Sequence, residues 1–138
     1  MPKVVSGADA GQWGWGDQLQ WDGQWRLGGQ NLSNTRYQAT EGYLRPENVA
    51  KLSPKWVFTT GGDISATPAV SDGALYVPDW GGNLFKINAQ TGAQIWSNTI
   101  ANYISDPSIP TQFSRTSPAV EGNKVIIGSQ SGAFGDGN

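Results

Sequence analysis

The sequence contains no cysteine and no histidine. Their absence removes disulfides, thiolate nucleophiles, zinc sites, histidine general bases and a covalent haem attachment together. Any metal held here must be bound through oxygen, which favours a hard cation such as calcium. Charge is scarce as well: 14% of residues are charged, nine basic and eleven acidic, for a formal net charge of −2. The charges are scattered singly, with no electropositive stripe to neutralise phosphates, so nucleic acid is not an expected partner. No run approaches the roughly 20 apolar residues of a membrane helix. The amino-terminal stretch "MPKVVSGADAGQ" holds too short an apolar patch for a secretory signal peptide, so none is expected in this chain.

Glycine and proline are abundant instead, 19 and 8 in 138 residues. They lack the three-residue period of collagen and fall between short apolar runs, so they read as the turns of an all-β protein. The first 25 residues have a texture of their own, a Trp/Gly/Gln-rich leader in which "GQWGWGDQLQWDGQW" carries Trp13, Trp15, Trp21 and Trp25. On a strand, Trp13 and Trp15 would share one face and form a stacking platform for sugars or aromatic ligands. The alternative is that these rings enter a core or belong to an extension. Residues 26–138 form the second region.

Within that region "RPENVAKL" puts Pro46 at the first position and Glu47 in the first turn of one short helical turn. "KWVFTT" (55–60) reads as a strand ended by Gly61 and Gly62. Strands "ATPAV" (66–70), "ALYVPD" (74–79), "NLFKIN" (83–88) and "AQIWSNTI" (93–100) follow, joined by "SDG", "WGG" and "AQTG". Such short strands and turns make an antiparallel meander. "ANYISDPSIPTQF" (101–113) reads as a loop, after which "TSPAV" (116–120), "EGN" and "KVIIGSQ" (124–130) restart the pattern. Asp63, Asp72 and Asp79 read as turn residues, and Trp80 as a loop-tip residue over a channel or a hydrophobic cap. Asn31, Leu32 and Ser33 form a glycosylation-type triplet of the kind that arises often by chance.

The restart is a repeat. With a shift of 50, Pro68 meets Pro118, Ala69 meets Ala119, Val70 meets Val120, Leu75 meets Val125, Tyr76 meets Ile126, Val77 meets Ile127 and Gly82 meets Gly132, without a gap. A period of that size in an all-β chain points to propeller blades of roughly 40 to 50 residues.

"INAQTGAQIW" (87–96) resembles the tryptophan-docking repeat of the pyrroloquinoline quinone (PQQ) dehydrogenases, in which blades end in Ala-x-Asp/Asn-Ala-x-Thr-Gly-x-x-x-Trp. Asn88, Ala89, Thr91, Gly92 and Trp96 fill that pattern. Asn88 and Thr91 are expected to close the turn, Gly92 to take a conformation other residues resist, and Trp96 to pack between blades. "NTRY" and "ENVAKLSPKWVF" are similar to the opening of the propeller in this family. The absence of a vicinal cysteine pair before "SRTSPAV" makes the polyvinyl alcohol dehydrogenase-like members the nearest resemblance. It covers residues 25 to 132.

The resemblance implies an incomplete antiparallel β-propeller of about two blades, the amino-terminal part of a larger quinoprotein. It implies that a small-molecule or polymeric alcohol is oxidised by hydride transfer to the quinone, with calcium as Lewis acid and an aspartate taking the hydroxyl proton. A cytochrome electron acceptor and a periplasmic or secreted location are further implications. Arg115 stands where related enzymes place an arginine near the quinone oxygens, with Ser114 and Thr116 beside it offering hydroxyls. Ser65 stands where some alcohol dehydrogenases have a cofactor-contacting glutamate. The alternative for Arg115 is a blade-edge arginine that is solvated or paired with a carboxylate such as Asp106. The calcium ligands and the aspartate would come from later blades, so this stretch alone is expected to be inactive and to hold no cofactor stably. A noncatalytic propeller scaffold, or a carbohydrate-binding module built on the Trp-rich leader, are the competing readings.

Overall fold

The computed structural model describes residues 3–8, 23–104 and 112–131. Trp13, Trp15, Asp106 and the glycine-rich stretch after Ser131 lie outside the described residues. The strands in chain order are β1 (Lys3–Ala8), β2 (Pro54–Thr59), β3 (Ala69–Ser71), β4 (Ala74–Pro78), β5 (Asn83–Asn88), β6 (Gln94–Thr99), β7 (Gln112–Phe113), β8 (Ala119–Glu121), β9 (Lys124–Ile126) and β10 (Gln130–Ser131). Strands β3 to β6 form one four-stranded antiparallel sheet in sequence order, the meander expected of a blade. Strands β8 and β9 pair as its second copy, and β1 pairs with β2.

The turns follow the residues. Ser71 faces Ala74 across a two-residue hairpin, and the central Asp72 and Gly73 have φ of 50° and 73°. Positive φ at both positions is the primed turn whose twist matches the flanking strands. Between β5 and β6 the Asn88 side chain accepts from the N–H groups of Gln90 and Thr91, each at 2.9 Å. Gly92 follows with φ +72°, and a Cβ there would lie 2.6 Å from the Trp56 ring. The glycine therefore serves twice, tolerating left-handed backbone and letting an indole approach. Trp56 also donates its indole N–H to Ala89 O at 3.0 Å, so the tryptophan of β2 docks on the turn of the next blade.

Both faces of β4 are buried. Leu75 and Val77 pack with Phe85 and Ile87 toward Trp56 and Phe58, whereas Ala74 and Tyr76 pack with Ala69 and Val120 toward Trp96 and Val125. This explains why "ALYV" is continuously apolar: a strand sandwiched between layers has no solvent face. Trp96 sits between the first blade and the second repeat, its ring edge-on to Tyr76 at 6.2 Å.

The two repeats stand side by side. Thr67 N–H donates to Ser117 Oγ at 3.0 Å, and these are equivalent positions fifty residues apart. Trp25 exchanges two 2.8 Å backbone bonds with Val70, and Arg26 O accepts from the N–H of Val120, the equivalent of Val70. Residues 25 and 26 thus cap the first strand of both repeats, satisfying backbone groups that a sheet edge would otherwise expose.

Several strand boundaries differ from the sequence expectation. The first strand of each repeat begins at Ala69 and Ala119, after the proline, which has no N–H to offer a ladder. The stretch expected as one strand over 124–130 breaks after Ile126, because Gly128 bonds to a side chain instead. Thr116 Oγ1 accepts from Gly128 N–H at 2.8 Å and donates to Gly128 O at 3.2 Å. A 3₁₀ turn, Ile100–Tyr103, runs from the last residue of the expected strand 93–100 into the expected loop 101–113, whose end forms strand β7. The short helical turn is present as a 3₁₀ turn at Val49–Lys51, preceded by bonds from Asn48 and Val49 N–H to Arg45 O, both 3.0 Å.

Candidate functional site

Antiparallel connections put the entry to β3, the β4–β5 turn and the entry to β8 at one end of the sheets. The backbone there is fixed in a repeated way. Trp80 N–H donates to Asp63 O at 2.8 Å, and fifty residues on, Gln130 pairs with Phe113.

Asp79 is the anchor of this end. It is fully buried, at 0% exposure. Its Oδ1 accepts from Asn83 N–H at 2.8 Å, and its Oδ2 accepts from Gly62 N–H at 3.1 Å. Charge-assisted bonds of this kind are stronger than neutral ones, and burial makes them costly to lose. Asp79 is thus a turn residue, as its position indicates, and also the tie between the β4–β5 turn and the chain entering β3. The local sequence shows the first role; only the approach of Gly62 in space shows the second.

Fixing Asp79 fixes Trp80. The Trp80 indole N–H donates to Ser65 Oγ at 2.9 Å. Its ring lies 5.9 Å from Phe113, tilted by 32°. The guanidinium of Arg115 sits over the Trp80 ring itself, 4.5 Å from its centroid, well inside cation–π range. Trp80 therefore joins Ser65 and Arg115, which are equivalent positions of the two repeats. By sequence Trp80 is a loop-tip residue or a cap; the structure makes it the link between these two positions. The signal that identifies its role is the alignment of Ser65 with Arg115 around a single aromatic loop residue.

The remaining candidates are placed differently. Ser114 is buried, at 1% exposure, and its hydroxyl is 3.0 Å from that of Thr116 and accepts from Thr116 N–H at 3.3 Å. The Thr116 hydroxyl in turn clasps Gly128. These two hydroxyls hold the approach to β8, while Ser65 and Arg115 lie at the surface. Among the described residues no group of three or more acidic side chains could hold a metal ion, and no helix is long and apolar enough to cross a membrane.

This geometry meets its relatives at the level of the whole domain. The europium-containing methanol dehydrogenase is a solved structure similar to this chain, with a TM-score of 0.55 at 15% identity over 78% of this chain and 27% of that one. Among curated proteins, the 1-butanol dehydrogenase (cytochrome c) of Thauera butanivorans is 26% identical over 80% of this chain and 16% of its own length. The quinoprotein ethanol dehydrogenase of Pseudomonas aeruginosa is 30% identical over 62% of this chain and 14% of its length. Tetrathionate hydrolase of Acidithiobacillus ferrooxidans is 44% identical over a shorter 45 residues, 9% of its length. The chain therefore spans a small part, 9% to 16%, of these curated relatives. The family model for PQQ, the β-propeller domain of glucose, ethanol and alcohol dehydrogenases, matches residues 25–124, and the chain belongs to that family.

Proposed function

We propose that this chain forms the amino-terminal blades of a PQQ-dependent alcohol dehydrogenase and contributes Arg115 to the cofactor site. The observation that carries the reading is an exposed guanidinium, held on an aromatic face at the loop end of a PQQ-family propeller. A planar fork of five donors suits a flat, carboxylate-bearing quinone, so the residues present fit the cofactor on this side. Among the described residues there is no ligand set for its metal. We assign the metal, a hard oxygen-bound cation such as calcium or a lanthanide, to blades elsewhere in the propeller, together with the proton-accepting aspartate.

When bound, PQQ supplies an ortho-quinone that takes up a hydride equivalent from the alcohol carbon, leaving a carbonyl product. Arg115 neutralises negative charge on the cofactor and stabilises its reduced form electrostatically. Ser114 and Thr116 set the approach to β8 on which Arg115 is displayed. Alcohol as substrate, a cytochrome as acceptor and a periplasmic or secreted location complete the proposal by analogy with the named relatives. The hydrolase among those relatives shows that the blade text alone does not decide the reaction.

The test is a titration of the chain with PQQ, followed by tryptophan quenching. We expect weak, reversible uptake that does not survive desalting and supports no alcohol turnover. Arg115→Ala should weaken uptake about tenfold or more, the equivalent of one charged hydrogen bond. Equal affinity of wild type and Arg115→Ala would support the noncatalytic scaffold reading, which the engagement of the Ser114 and Thr116 hydroxyls also favours.

A further inference from the structure

We infer that Trp80 is the positioning residue for Arg115, and that Ser65 acts on the site through Trp80 rather than by touching the cofactor. The inference rests on the reading of Arg115 just given and deepens it.

The Arg115 Cζ lies over the Trp80 ring, 4.5 Å from its centroid, so the indole holds the guanidinium by cation–π attraction without using a lone-pair acceptor for its N–H donors. Whatever fixes the indole therefore limits where Arg115 can offer its hydrogen bonds. The indole is fixed from three directions: its own backbone N–H on Asp63 O, its indole N–H on Ser65 Oγ, and its ring against the buried Phe113. Its chain neighbour Asp79 locks the turn that carries it. Ser65 accepts from the indole and brings no carboxylate to compete for the guanidinium, so the Arg115 donors stay open to an anionic ligand. A long side chain on an exposed loop normally loses rotamer freedom when it binds; an arginine already held on a ring has lost part of it beforehand. Trp80 thereby raises affinity without touching the ligand.

Two readouts test this on the full chain. The first needs no cofactor. In labelled protein, the Arg115 δ-methylene protons should be displaced upfield by the Trp80 ring current. Trp80→Phe should keep a displacement and Trp80→Ala abolish it, with Val77 and Ile87 methyl signals reporting that the blade is intact. Ser65→Ala should reduce the displacement and speed exchange of the Trp80 indole N–H with water. The second readout is PQQ affinity. Trp80→Ala should weaken it about twofold to fivefold, the worth of a surface cation–π contact, and Trp80→Ala combined with Arg115→Ala should be no weaker than Arg115→Ala alone. Arg115 signals that are identical in wild type and Trp80→Ala would overturn the inference, and so would losses that multiply in the double variant. A wild-type chain that takes up no PQQ would contradict the functional proposal and not the positioning role, which the ring-current shift reads independently.

Discussion

The two repeats, residues 65–81 and 115–131, share their text and much of their local shape, yet they differ in burial. Each has a proline at its fourth position, then a three-residue strand whose central valine bonds to residue 25 or 26, then a two-residue hairpin. In the first copy β4 lies between β3 and β5, and Tyr76 is 8% exposed. In the second, β9 pairs with β8 alone among the described residues, and Ile126 at the equivalent position is 59% exposed. The unit thus encodes the turns and the register, whereas burial comes from neighbouring layers. This is the division expected of a repeat architecture, where stability is shared between units and their interfaces.

Truncating the equivalent pair Tyr76 and Ile126 should separate the two repeats most strongly. Tyr76→Ala should cost about 3 kcal/mol or more, as for other buried aromatics, while Ile126→Ala should stay within about 1 kcal/mol, close to a surface substitution. Urea unfolding midpoints check both, and similar losses would mean that the second repeat is as buried as the first. A second pair probes the loop end. Asp79→Ala strips the acceptor from two backbone N–H groups and should cost about 2 to 3 kcal/mol. Ser129→Ala, at the exposed equivalent position, should fall within about 0.5 kcal/mol. The smallest effect sharpens the contact between copies: Ser117→Ala removes the acceptor for Thr67 N–H and should lower stability by about 1 kcal/mol, read by faster hydrogen exchange at the Thr67 amide.

What could be read in the sequence was local or periodic. The meander from β3 to β6 and the Asn88 to Gly92 turn depend on residues close in the chain, and both appear as expected. The tryptophan docking was legible as a motif, with Trp56 showing the contact directly on Gly92 and Ala89. The strand limits set by Thr116 were not legible, because a side-chain hydroxyl ended β9 from twelve residues away. Strand β7 was hidden by its short length and the proline-bearing stretch before it. Residues 25 and 26 were assigned to opposite sides of a boundary, yet they bind equivalent valines forty-five and ninety-four positions later, beyond any pattern in the local text. Ser65 and Arg115 are equivalent positions by register, and the structure brings both to Trp80. Asp79 and Trp80 were underrated, since burial and stacking are made by chain segments that meet only on folding.

The account turns on one indole that joins equivalent positions of two blades. A single nuclear Overhauser spectrum of the labelled chain tests it most directly. The account predicts cross-peaks from the Trp80 indole N–H to the Ser65 β-protons and from the Trp80 ring to the Arg115 δ-protons in the same sample. Cross-peaks from Trp80 to neither residue, or to Ser65 alone, would contradict it.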